Sequence, residues 1–145
     1  MSKLSVVIDT NVLIKTIKRT NFEFFLYQSF EAEAFDWIVS TSVLDEYEEK
    51  LTEFYSQKTA QLVLEILCTA SNVIFAEPHF RWNLIEDDPD DNKFSDLAIS
   101  ANATCLVTFD KHFEIFKNTD FPRLSILNPK QFYTLLSDEG VNLKF

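Results

Sequence analysis

Short apolar runs alternate along this chain with longer stretches in which apolar positions recur at helical spacing. Segments 6–8, 35–40, 73–76, 104–108 and 124–127 are brief, apolar and bounded by polar residues, which predicts buried strands. Segments 11–18, 22–33, 42–54, 58–70, 91–101 and 129–136 predict helices. The clearest stripes are Val43, Leu44, Tyr47, Leu51 and Phe54 on one helix, which also carries Glu46, and Phe94, Leu97, Ala98 and Ala101 on another. Strands that alternate with helices pair in parallel through right-handed crossovers, so the expected architecture is a three-layer α/β/α sandwich around a mainly parallel sheet.

The punctuation between elements is unusual because the chain has a single glycine, Gly140. Asparagine is the next residue to tolerate positive φ, and Asn72 and Asn102 are expected to close helices in that conformation. Asn128-Pro129 predicts an N-cap followed by the first helical position, and Ser42 with Asp45 resembles a capping box. No repeat, low-complexity tract or long linker divides the chain, so residues 1–145 read as one domain. Segment 77–90 is the longest irregular stretch.

Hydrophobic residues make up 46% of the chain, but no apolar run approaches the roughly 20 residues of a membrane helix. The N-terminus leads straight into a strand without a secretory-signal pattern, from which a cytoplasmic location is expected. Cys68 and Cys105 lie in apolar segments and are expected to be buried thiols. Most of the fifteen phenylalanines are expected to fill the core.

Thirteen Lys and Arg against 23 Asp and Glu give a formal charge of −10, which argues against a simple DNA-binding module. An enzyme whose acids are neutralised by divalent cations remains compatible, because a bound ion reverses the local sign. Acids also stand where such chemistry needs them. The first strand releases Asp9 and the fourth releases Asp110; Glu46 sits on a helix, and Asp87-Asp88-Pro89-Asp90-Asp91 precedes another. An open parallel sheet gathers residues from its carboxyl edge into one crevice. Carboxylate and water oxygens suit Mg²⁺ or Mn²⁺, and His79 and His112, the only histidines, form no evident cluster for a softer metal. Such ions activate water for attack on a phosphodiester.

Four segments in order resemble the PIN-domain ribonucleases, and within them the VapC-like toxins of toxin-antitoxin systems. They are Val6-Val7-Ile8-Asp9-Thr10-Asn11-Val12-Leu13, Val39-Ser40-Thr41-Ser42-Val43-Leu44-Asp45-Glu46-Tyr47, Asp88-Pro89-Asp90-Asp91-Asn92-Lys93-Phe94 and Leu106-Val107-Thr108-Phe109-Asp110-Lys111. The resemblance implies a single PIN-like nuclease domain with catalytic, metal-binding acids at Asp9, Glu46, Asp91 and Asp110. Asp88, Asp90 and Asp96 compete for the Asp91 role, and Asn92 stands where relatives often carry another acid. Thr10 or Asn11, together with Thr108, match the small polar residues that support the acids.

The implied cofactor is Mg²⁺ or Mn²⁺ and the implied substrate RNA. Asp9 would hold the principal ion, and Glu46 would orient a water. Lys93 and Lys111 are the preferred phosphate contacts, with Arg81, His112, Lys15, Lys18 and Arg19 as a possible rim. An antitoxin partner and a homodimer are also implied. Two other phosphoryl-transfer readings fit less well. A haloacid-dehalogenase-like phosphatase needs an Asp where this chain has Asn11, and a receiver-like domain needs paired acids beside Asp9. A PIN-like module that binds protein without catalysis is the alternative from another class.

Overall fold

The structure is a computed structural model that describes residues 3–86 and 88–143. Asp87, the first acid of the predicted run, lies outside the described residues. The elements follow in the order β1 (Leu4–Ile8), α1 (Thr10–Thr16), α2 (Phe24–Glu31), β2 (Phe35–Val39), α3 (Thr41–Phe54), α4 (Gln57–Thr69), β3 (Val73–Phe75), α5 (Asn92–Ser100), β4 (Cys105–Val107), β5 (Ile126–Leu127) and α6 (Pro129–Asp138). A 3₁₀ turn at Pro89–Asp91 leads into α5, and a 3₁₀ helix at Lys111–Asn118 follows β4.

All strand pairs are parallel, in the order β3-β2-β1-β4-β5, with helices flanking the sheet in a three-layer α/β/α sandwich. The chain steps outward from β1 through β2 to β3, then crosses back to lay β4 on the other side of β1. That reversal makes the carboxyl ends of β1 and β4 the switch point of the sheet, where side chains can line a crevice without a crossover covering it. In register, Ile8 pairs with Val107, and the Asp9 amide continues the ladder by donating to the Val107 carbonyl at 3.0 Å.

One side of the sheet is built on aromatic rings. Phe35 and Trp37, two residues apart on β2, meet Phe30 of α2, Tyr47 of α3 and Phe132 of α6, with edge-to-face contacts at Phe30–Trp37 and Phe35–Phe132. Helix α5 packs across β1, β2 and β4. Its buried Phe94, Leu97 and Ala98 follow the predicted stripe.

Some local expectations are corrected. The cap of α3 is Ser40, whose hydroxyl accepts the Val43 amide at 3.2 Å; the helix starts directly after β2, leaving Ser42 exposed in its first turn. Asn102 does take positive φ, at 52°, and Asn128 caps α6 reciprocally with Gln131. Asn72 closes no helix. Its buried amide donates to the carbonyls of Phe30 and Phe35, joining the end of α2 to the start of β2, while α4, the helix it was expected to close, ends at Ala70 in extended conformation. Cys105 is buried, but Cys68 is exposed because it lies one position past the α4 stripe of Ala60, Val63 and Leu67. Among the described residues, seven phenylalanines are buried, while Phe22, Phe54, Phe75, Phe80, Phe109 and Phe121 are exposed, so the core takes only about half of them.

Candidate active site

The two strands at the switch point end in acids, and each acid is held by the local backbone. Asp9 caps α1: one carboxylate oxygen accepts the Thr10 amide at 2.8 Å, as expected where an extended residue enters a helix. Its other oxygen accepts the Thr108 hydroxyl at 2.6 Å. That hydroxyl in turn accepts the Asp110 amide at 3.0 Å, so Thr108 links the Asp9 carboxylate to the backbone of Asp110. Asp110 caps the following 3₁₀ helix by accepting the His112 amide at 2.9 Å.

Glu46 is brought in from α3. The Thr10 hydroxyl donates to one of its oxygens, and the Lys93 ammonium, from the first turn of α5, lies 3.0 Å from the other. Of the two support residues expected beside Asp9, Thr10 is therefore the one in contact, while Asn11 is exposed. Asp91 enters from the start of α5 and is 9% exposed; its carboxylate lies 3.2 Å from His112 Nδ1.

Crowding shows in the acid equilibria. Burial pushes Asp9 up to about 6; the Thr108 and Thr10 hydrogen bonds oppose this, and the charges of Glu46 and Asp110 add to it. Asp91 is raised as well, first by burial and then by sharing a hydrogen bond with Asp110, while His112 works against the shift. The mutual influence of Asp9, Glu46, Asp110 and Asp91 means that four distant segments converge on one crevice. Five acids, counting Asp88, meet there, with Lys93 against Glu46 and the His112 imidazole against Asp91 and Asp110. A hard divalent cation fits this donor set, since it would relieve the repulsion that holds protons on the buried carboxylates.

The other acids near Asp91 separate by contact. Asp96 is buried on α5 but turns to the preceding loop, where it accepts the Trp82 amide at 3.1 Å, with Arg81 nearby. Asn92 also serves that loop: it accepts the Ile85 amide and donates to the carbonyls of Ile85 and Pro89. Asp88 caps the 3₁₀ turn through the Asp90 amide, yet one of its oxygens falls within 4.8 Å of ligand atoms on Asp91 and His112. Asp88, one of the expected alternatives to Asp91, thus stands beside it, and His112, expected only on the rim, joins them. In the sequence His112 reads only as a rim residue; the signal for a closer place is its position two residues after a strand-terminal acid, where a cap turns the chain back.

Of the cations expected on the rim, Lys93 and His112 stand among the acids themselves. Lys93 is engaged with Glu46, and Lys111 is exposed beside Asp110. Lys15 lies over the Phe109 ring, 5.6 Å from its centre. Arg19 lines a separate apolar groove of about 260 Å³ with Leu13, Tyr27, Leu62 and Ile66.

The PIN domain family profile matches residues 5–112. No protein with a curated description matches the sequence. Among solved structures, the chain is similar to VapBC2 from Rickettsia felis bound to a DNA fragment from its promoter, with TM-score 0.60 and 20% identity over 86% of this chain and 98% of that one. It is similar to FitAcB from Neisseria gonorrhoeae, with TM-score 0.54 and 15% identity over 86% and 98%. The PIN domain of T. brucei RRP44 gives TM-score 0.51 and 14% identity over 95% and 83%. At these identities the likeness is one of fold.

Proposed function

The chain belongs to the PIN domain family, and from that premise we propose that it is a ribonuclease that hydrolyses RNA phosphodiester bonds with Mg²⁺ or Mn²⁺. The observation that carries this reading is the meeting of Asp9, Glu46, Asp91 and Asp110 at the switch point, from four segments spread over the chain. In this reading Asp9, Asp91 and Asp110 hold the ion. When bound, the ion supplies Lewis acidity toward the phosphate and lowers the pKa of a water.

The remaining roles belong to the chain itself. Thr108 and the Thr10 amide saturate Asp9 on the protein side and fix its direction. Thr10 and Lys93 hold Glu46, which takes the proton from the attacking water. Lys93, 3.0 Å from the second Glu46 oxygen, fixes the direction of that carboxylate. Lys111, exposed next to Asp110, contacts substrate phosphate. By the same resemblance the protein acts as the toxin of a cytoplasmic toxin-antitoxin pair and forms a homodimer, with residues 1–145 as one PIN-like domain. Among the described residues, no helix is long and apolar enough to cross a membrane.

The test is cleavage of labelled single-stranded RNA by the purified chain with Mn²⁺, with Mg²⁺ and with EDTA, for wild type and Asp9→Asn. Cleavage that requires the cation and Asp9 is the expected result. A folded wild type that cuts no RNA under any condition would favour the non-catalytic binding module.

A further inference from the structure

The acids at the switch point are joined by one nitrogen donor that an all-carboxylate site would not need. His112 Nδ1 lies 3.2 Å from an Asp91 oxygen and 3.3 Å from an Asp110 oxygen, and ligand atoms of Asp88, Asp91 and His112 all fall within 4.8 Å of one another. Atoms about 2.1 Å from an octahedral ion are about 3 Å apart when adjacent and about 4 Å apart when opposite, so this spacing matches a coordination sphere. The ring is also held in place, because the His112 amide donates to Asp110 and begins the 3₁₀ helix there. Its side chain is 40% exposed, which leaves a route for an ion from solvent.

We propose that His112 is a metal ligand which, with Asp88 and Asp91, makes the protein select a transition-metal ion, Mn²⁺ over Mg²⁺. The inference rests on the nuclease reading for the presence of a cation, and goes beyond it in assigning a ligand and a preference. The physical basis is donor type. Mg²⁺ takes carboxylate and water oxygens and gains little from imidazole, whereas first-row transition ions accept nitrogen readily. A site of acids alone has little to tell the two ions apart. One imidazole in the sphere introduces a difference.

The competing role for His112 is that of a protonated partner which neutralises Asp91 and Asp110 without binding metal. The two roles have opposite consequences. Removing a ligand weakens Mn²⁺ binding and spares Mg²⁺; removing a competing cation strengthens binding of both.

The experiment is calorimetric titration of the metal-stripped full chain with MnCl₂ and with MgCl₂, for wild type and His112→Gln, without RNA. The expected result is a loss of about tenfold or more in Mn²⁺ affinity and about twofold or less in Mg²⁺ affinity. An unchanged ratio of the two affinities, or a rise in both, overturns the proposal. Pulsed electron paramagnetic resonance of the Mn²⁺-loaded wild type reads the same question without a variant: nitrogen coupling from one imidazole is expected, and its absence rejects ligation by His112. Because neither readout uses RNA, a Mn²⁺ preference that depends on His112 in a protein that cuts no RNA would reject the nuclease reading and leave this one. RNA cleavage with an unchanged affinity ratio would do the reverse.

Discussion

The crevice at the ends of β1 and β4 and the aromatic cluster on β2 are both buried, yet they affect the fold in opposite directions. Around Phe35 and Trp37, rings from α2, α3 and α6 meet edge to face with their apolar surface removed from water. In the crevice, Asp9 and Asp91 are buried among other carboxylates, and both hold their protons more tightly than free acids do. One region supplies stability and the other gives it up, which is the pattern expected when a site is arranged for a ligand that is not part of the chain. The comparison can be tested by damaging each region and asking which property fails.

The largest effect is expected in the cluster. Phe35 is fully buried, and Phe35→Ala should lower unfolding free energy by about 3–5 kcal/mol through lost burial and a residual cavity. Urea denaturation followed by Trp fluorescence measures it. The folded fraction should still bind divalent cation as wild type does; a cation affinity lost in parallel would mean that the two regions are not separable.

In the crevice the order is reversed. Asp9→Asn should reduce RNA cleavage on the order of 10³-fold, comparable to deleting a principal electrostatic contact in a transition state. It should leave the metal-free protein as stable as wild type or more so at neutral pH, because Asn can keep an acceptor for Thr10 or Thr108 without the buried charge. Single-turnover cleavage and thermal unfolding in EDTA check the two halves. A variant that is inactive because it is unfolded would break the comparison.

The pH dependence of the metal-free protein is the next largest effect. Asp9 titrates near 6 when folded, against 3.8 for an unperturbed side chain, so between those values the folded state binds more protons than the unfolded one. Stability therefore falls as pH rises from about 4 through 6, by about 3 kcal/mol from Asp9 alone, and Asp91, shifted the same way, adds to the slope. Denaturation in EDTA across this range should show the decline, and Asp9→Asn should flatten it. Saturating Mn²⁺ should oppose it, since the ion binds the deprotonated carboxylates. A metal-free protein that gained stability over this interval would contradict the electrostatics of the crevice.

How much of this could be read without coordinates differs between the two regions for a physical reason. The strands, the helical stripes and the terminal acids Asp9 and Asp110 follow from local patterns, because a buried strand must be apolar and the residue that leaves it is free to be polar. The stripe of α3 likewise put Tyr47 in the core and left Glu46 near one edge. Asp88 and His112 were not legible as neighbours, since their meeting depends on how the 3₁₀ turn before α5 and the 3₁₀ helix after β4 fold toward each other. Lys93 reads as a phosphate contact until α3 and α5 are placed side by side, which sets it against Glu46. Asn72 misled for a similar reason: its chemistry permits positive φ, but its amide is used to join two carbonyls from separate elements.

The smallest predicted effect lies where the two regions touch. Tyr47 is fully buried; its hydroxyl accepts from Trp37 Nε1 at 3.3 Å and donates to the carbonyl of Ile8, the residue that precedes Asp9. Burial, with the charges of Asp9 and Glu46 behind it, raises its pKa, so the phenol stays a donor throughout the working range. Tyr47→Phe keeps the ring and its packing while leaving the Ile8 carbonyl and the Trp37 indole N–H without this partner. The expected loss is about 1–2 kcal/mol of stability, with cleavage reduced only severalfold, because Asp9 remains fixed by Thr10, Thr108 and the hydrogen bond its own amide donates to the Val107 carbonyl. Denaturant titration and steady-state cleavage measure the pair. If Tyr47→Phe abolished cleavage at unchanged stability, the phenol would belong to the crevice, and the boundary between the supporting cluster and the reactive acids would run through Trp37 instead.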